Sequence, residues 1–198
     1  MKTLTLWCAL LAAPVAFVVP VRAQGATNLL KAPVKWPTIR PDDDIENGSF
    51  DTRIAAVQYL LRARGFYKGR ADGIYGAKTI AAVKASQRAN GLKADGIAGP
   101  RTLPKLVVTV KRGSKGDAVR AAQILVRNSW GHNGETPNMG LEADGTFGKE
   151  TEDAVKFAQE TSNQFKDYLR VDGTMGPRSW CLLLGGSVVG SEKDGGSD

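Results

Sequence analysis

Four short stretches of the chain repeat one pattern. ADGIYGAKT begins at Ala71 and ADGTFGKET at Ala143, 72 residues further on, while ADGIAGPRT (Ala94 to Thr102) and VDGTMGPRS (Val171 to Ser179) are looser copies. Asp-Gly is a turn signal with a mechanism. Glycine enters positive φ without a Cβ clash, and the Asp carboxylate accepts hydrogen bonds from backbone N–H groups of its own turn. The second Gly sits where a helix begins, and Thr79 or Thr151 then falls in its first turn. The pattern predicts an ordered loop between two helices, and four copies predict two such loops in each half of the chain.

The surrounding sequence repeats as well. GSFDTRIAAVQ (Gly48 to Gln58) aligns with GSKGDAVRAAQ (Gly113 to Gln123) at an offset of 65 residues, the next block at 72 and the last at 77. The insertions this requires fall near WGHNGETPNMG and SNQFKD, between matched blocks, and read as loops. Each copy carries three predicted helical segments. Ile54, Val57, Leu60 and Leu61 recur along one helix face, as do Ile80, Val83 and Gln87, and a Pro opens the short third segment GPRTLPKLV. Val119, Ala122 and Val126, then Ala154, Val155 and Ala158, repeat those faces, with Trp180 in the place of Leu103. No stretch keeps a period of two. The expectation is an all-α chain of two tandem three-helix bundles with ordered Asp-Gly loops, one over 48–108 and one over 109–186.

The flanks read differently. Residues 1–23 have the form of a removed secretory signal, with a basic start, an apolar run from Leu4 to Val19, and small or compact Val21 and Ala23 before the cleavage point. Residues 24–47 form an extended, Pro-containing leader and 187–198 a disordered tail. Cleavage takes Cys8 away and leaves Cys181 alone, so no internal disulfide is available. No later apolar stretch is long enough to span a bilayer. The formal charge of +7 is unevenly spread. Residues 48–108 hold eleven Lys or Arg against three Asp, whereas 109–186 hold ten of each sign, so the first half is the one suited to an anionic partner.

A helix ending in Gln, a loop Asp-Gly-x-x-Gly-x-x-Thr, a second helix with Ala-Val and Gln, then Gly-Leu-x-x-Asp-Gly-x-x-Gly-Pro-x-Thr is similar to the peptidoglycan-binding domain found beside catalytic domains in cell-wall hydrolases. AVQYLLRARGFYKGRADGIYGAKTIAAVKASQRANGLKADGIAGPRTLPKL carries the resemblance, and the second copy diverges from it. Ser86 and Ala158 stand where the family usually has an aromatic, and Tyr168 replaces the Gly of Gly-Leu. The resemblance implies a small helical bundle that holds wall glycan or its stem peptide without breaking it. Carried to this chain, it makes Asp72, Tyr75, Lys78, Asp95 and Arg101 candidate ligand residues in copy one. Asp144, Phe147, Asp172 and Arg178 are their counterparts in copy two. The Asp and Gly residues build the loops. Tyr75, Phe147, Tyr67 and Trp130, read as exposed aromatics, are the stronger candidates for contact with sugar or peptide faces, while basic side chains suit stem-peptide carboxylates or wall polymers.

No catalytic constellation emerges. His132 is the single His, which excludes multi-His zinc sites and a His relay backed by a second His. Cys181, amid apolar neighbours, reads as a core thiol rather than a nucleophile. PDDDIENGS fails the EF-hand spacing, with Ile45 and Ile54 at ligand positions, so no metal or other cofactor is expected. The resulting expectation is a secreted, monomeric, non-catalytic protein with two wall-binding modules whose partner is peptidoglycan or a related anionic polymer. The alternatives are an interaction protein that recruits a separate wall hydrolase or binds another polysaccharide such as chitin, and a cryptic wall-lytic enzyme. No nucleic-acid motif accompanies the positive charge.

Overall fold

The computed structural model describes residues 32–41, 51–127, 140–163 and 169–189. Residues 1–23, Trp130 and His132, Tyr168 and most of the tail lie outside the described residues. The chain runs β1 (Val34–Lys35), α1 (Thr52–Ala63), α2 (Ala77–Ala89), α3 (Leu103–Leu106), α4 (Asp117–Arg127), α5 (Lys149–Ser162), α6 (Pro177–Leu183) and β2 (Ser187–Val188). It is mostly helical, as the period of its apolar positions requires.

The helices α1 and α4 are central. In α1 seven of twelve residues are buried, from Ile54 to Leu61, and in α4 every residue from Ala118 to Val126 but Arg120 is. A helix buried on nearly all sides needs neighbours all round. These two pack chiefly on each other, with α2 and α3 against α1 and with α5 and α6 against α4. Alanines at 55, 56, 118, 121 and 122, all at most 7% exposed, leave no bulk to hold the elements apart. The buried apolar side chains form one cluster running through both halves of the chain.

Asp51 starts α1. Its carboxylate accepts from Arg53 N at 2.6 Å and Ile54 N at 3.3 Å, filling two of the amides that a helix start leaves without partners. The Asp51 amide in turn donates to the Gly73 carbonyl at 3.3 Å, tying the helix start to the first Asp-Gly loop. Gly116 and the Gly145 carbonyl repeat that bond at 2.8 Å in the second half. At the other end of α1, Arg64 donates to the carbonyls of Leu106 and Val107, closing the end of α3.

Residues 32–41, the described part of the leader, are docked. β1 pairs antiparallel with β2, Val34 opposite Val188. Five residues on, Ile39 is fully buried and exchanges both backbone hydrogen bonds with Ala98, at 3.0 and 3.1 Å. Val110 makes the same two-bond bridge with Met175. Ile39 therefore does for the second loop what Val110 does for the fourth, and residues 32–41 supply an edge the repeat needs. Sequence alone gave these residues no tertiary role.

Candidate functional site

One glutamine stands behind each of the four loops. Gln58 donates from Nε2 to Asp72 Oδ1 at 2.7 Å, the Ile74 carbonyl at 2.9 Å and Thr79 Oγ1 at 2.9 Å, and its Oε1 accepts from Gly73 N at 3.0 Å. Gln87 makes the same four contacts with Asp95, Ile97, Thr102 and Gly96, at 2.7 to 3.0 Å. Gln123 repeats them with Asp144, Thr146, Thr151 and Gly145, and Gln159 with Asp172, Thr174, Ser179 and Gly173. All four glutamines are at most 2% exposed. A buried amide must find partners for both its ends, and each loop is shaped to provide them. Each Asp also accepts from the backbone N–H two residues on, at 2.7 to 3.1 Å, and each Asp-Gly glycine sits at φ between 71° and 84°.

This arrangement accounts for Asp72, Asp95, Asp144 and Asp172 as loop builders. One Oδ1 in each is engaged by both the glutamine and the turn, while the side chain stays at the surface. The Ile97 N–H, then the Gln87 amide, hold the Asp95 carboxyl below its ordinary value. For Asp144 the Gln123 amide leads and the Thr146 N–H follows. The glutamines were visible in the sequence as matched positions, but no role had been attached to them. The signal was an amide recurring on an otherwise apolar helix face upstream of every Asp-Gly.

The aromatics require a correction. Tyr75 is 2% and Phe147 1% exposed, so neither presents a ring to solvent. Tyr75 Oη donates to the Gly96 carbonyl at 2.9 Å and accepts from Ala98 N at 3.0 Å, linking the first two loops through the core. Phe147, its counterpart in the repeat, has no hydroxyl; its carbonyl accepts from Gly113 N and its N–H donates to the Ser114 carbonyl. Tyr67 is buried too, with one edge on a groove. Trp130 lies outside the described residues.

Three grooves flank the loops, each between the segment leading into an Asp-Gly and the start of the next helix. The first, about 490 Å³, has Phe66 and Tyr67 as a wall, Ala81 and Ala82 as a floor, and Lys68 and Lys78 on its rim. Tyr67 is pinned by a 3.0 Å bond from Oη to the Arg70 carbonyl, and its ring crosses Gly69 so closely that a Cβ there would stand 2.6 Å from Oη. The second, about 300 Å³, is lined by Glu142, Asp144, Lys149 and Glu150 among others. The third, also about 300 Å³, has Leu169 and Pro177 with Arg170, Asp172 and Arg178. Arg178 is half-buried and donates to the Ala32 carbonyl, so it anchors the leader as well as lining the groove. Arg101, its counterpart in the first half, is exposed and lines none of the three.

Cys181 is fully buried, with its thiol against the Lys35 carbonyl at 3.4 Å, and burial pushes its pKa up to about 11. A thiol so rarely ionised is a poor nucleophile. Among the described residues no group of three or more His, Cys, Asp or Glu could hold a metal ion, and no helix is long and apolar enough to cross a membrane.

Residues 51–106 match the family described as "Putative peptidoglycan binding domain". The chain is 44% identical to the N-acetylmuramoyl-L-alanine amidase CwlM of Mycobacterium tuberculosis over 38% of its own length and 19% of that protein. It is 36% identical to a spore cortex-lytic enzyme of Bacillus cereus over 34% of this chain and 26% of the relative. With the "Probable N-acetylmuramoyl-L-alanine amidase" of Bacillus licheniformis it shares 31% identity over 71% of this chain and 44% of the relative. It thus spans less than half the length of each of these relatives. No solved structure gives a significant match. These names overturn the expectation of a non-catalytic, purely binding protein. These three relatives are named as amidases or a cortex-lytic enzyme, and one of them is matched across 71% of this chain.

Proposed function

Because residues 51–106 are a domain of the peptidoglycan-binding family, we propose that this chain acts in the enzymatic breakdown of the bacterial wall, in the class of the amidases it resembles. In this reading residues 109–186 are a second, diverged copy of the domain, and residues 1–23 export the protein to the wall. The described grooves hold the polymer. Keeping an insoluble polymer in place raises the effective concentration of its bonds at the protein, and a second contact on the same strand adds avidity. The observation that carries the reading is the coincidence of the family match with Gln-clamped loops and grooves, in a chain similar to proteins named as amidases.

The test uses the whole chain with purified sacculi at low and high salt. Retention in the pellet, turbidity and newly released amino groups are followed together. The expected result is retention that survives high salt, accompanied by slow clearing and new amino termini. Retention without either product rejects the lytic assignment, and no retention rejects wall engagement altogether.

A further inference from the structure

The two halves place grooves at equivalent positions and give them opposite charge. Under the 72-residue offset, Lys68, Arg70 and Lys78 correspond to Gly140, Glu142 and Glu150. Lys68, Arg70, Lys78, Glu142 and Glu150 are all exposed. Lys149, the one cation lining the second groove, is paired with Asp153. Lys68 and Lys78 form no ion pair among the described residues. Two grooves that differ in this way cannot favour the same ligand group.

We propose that the groove between Phe66 and Ala82 is the carboxylate-reading site of the chain, taking the free carboxylate end of a short peptide with small apolar side chains, and that its counterpart at Gly140 to Thr151 rejects that end. The reading rests on wall engagement and names the part of the polymer that is held. Charge complementarity selects the occupant. Two ammonium groups sit on the rim of an aromatic and alanine-lined groove of about 490 Å³, where a peptide methyl group can lie on Ala81 and Ala82 while its carboxylate reaches a lysine. The Tyr67 ring, locked by the Arg70 carbonyl and crowded by Gly69, fixes the wall before any ligand arrives, which lowers the ordering cost of binding. A neutral sugar offers the lysines hydroxyl acceptors but no opposite charge. The wall peptide chemistry supplies such carboxylate ends.

The full chain is titrated by calorimetry with alanyl-alanine, with the same dipeptide as its C-terminal amide, and with inorganic polyphosphate, while retention on sacculi is recorded in parallel. The acid is expected to bind one site per chain and the amide at least tenfold more weakly. Lys78→Glu, which imports the residue found at 150, should weaken the acid at least tenfold with an unchanged melting temperature. Glu150→Lys should raise the stoichiometry toward two. Equal binding of acid and amide, or no effect of Lys78→Glu, overturns the proposal. Polyphosphate that binds at the same site more tightly than the dipeptide overturns it in favour of a phosphate-bearing polymer. Sacculi that retain the wild-type chain while the dipeptide fails to bind sink this inference and leave wall engagement standing; failure of retention itself sinks the latter.

Discussion

At the scale of single residues, the fold depends on four amides. Gln58→Glu keeps the size of the side chain but loses the three bonds that Nε2 donates, at about 1 kcal/mol each, and sets a second carboxylate against Asp72. Urea unfolding at pH 7 should show a loss on the order of 3 kcal/mol. One of two facing carboxyls has its folded pKa raised, so part of the lost stability should be recovered on going from pH 7 to pH 5 and be lost again as pH climbs through the raised value. A deficit equal at both pH values would mean the new carboxylate turns away from Asp72. In the wild-type chain Asp95 and Asp144 titrate in the other direction. Asp95 and Asp144 have folded pKa values below 3.8, so their contribution is complete above that value and is lost as pH falls through the lowered folded values. Melting temperature should drop on acidification below about pH 4, and Asp95→Asn should flatten that drop. The Asp-Gly turns were legible in the sequence because their chemistry is local. The glutamines were not, since their partners lie 8 to 28 residues away and only folding brings them together. The burial of Tyr75 and Phe147 was hidden for the same reason: an aromatic beside a turn reads as exposed until the core it enters is known.

Among the elements, the short leader is the one whose role the sequence concealed. Apolar periodicity exposed α1, α2, α4 and α5, because each repeats a buried face over several turns. Residues 32–41 have no such period. Their place is set by two bonds to Ala98, one strand pair and one buried side chain. Ile39→Ala should cost about 2–5 kcal/mol, the range for truncating a fully buried aliphatic side chain. Deleting residues 24–41 should cost at least as much, read as a lower denaturation midpoint in urea. The same deletion frees the Ala98 carbonyl and leaves the Ala98 amide with the Tyr75 Oη as its one remaining acceptor, so hydrogen exchange at Ala98 should accelerate. An unchanged midpoint in both variants would show that the leader only rests on the surface. Val110 is the internal control, because it makes the same bridge from within the chain and Val110→Ala should behave alike.

For the whole molecule, the question is whether two copies of a repeat make two folding units. The sequence invites a cut between Val108 and Lys111, where one copy ends. The structure shows what the cut would cross. Trp180, fully buried in the second half, donates from Nε1 to the Val108 carbonyl at 2.7 Å. Arg62 on α1 reaches Asp117 on α4 at 3.2 Å. That ion pair is partly exposed and adds little, so the coupling comes from the apolar contact of α1 with α4. A half of roughly 60 to 80 residues that leaves its central helix uncovered has too little core to stabilise it. The chain should therefore unfold in a single transition, with coincident circular dichroism and fluorescence curves. Fragments 24–109 and 110–198, made separately, should show little helix alone and regain it on mixing. Two independently folded fragments would show instead that the α1–α4 contact is an accessory one. Under the expected outcome the oppositely charged grooves at Lys78 and Glu150 stay at a fixed separation, and a polymer engaging both must match that spacing.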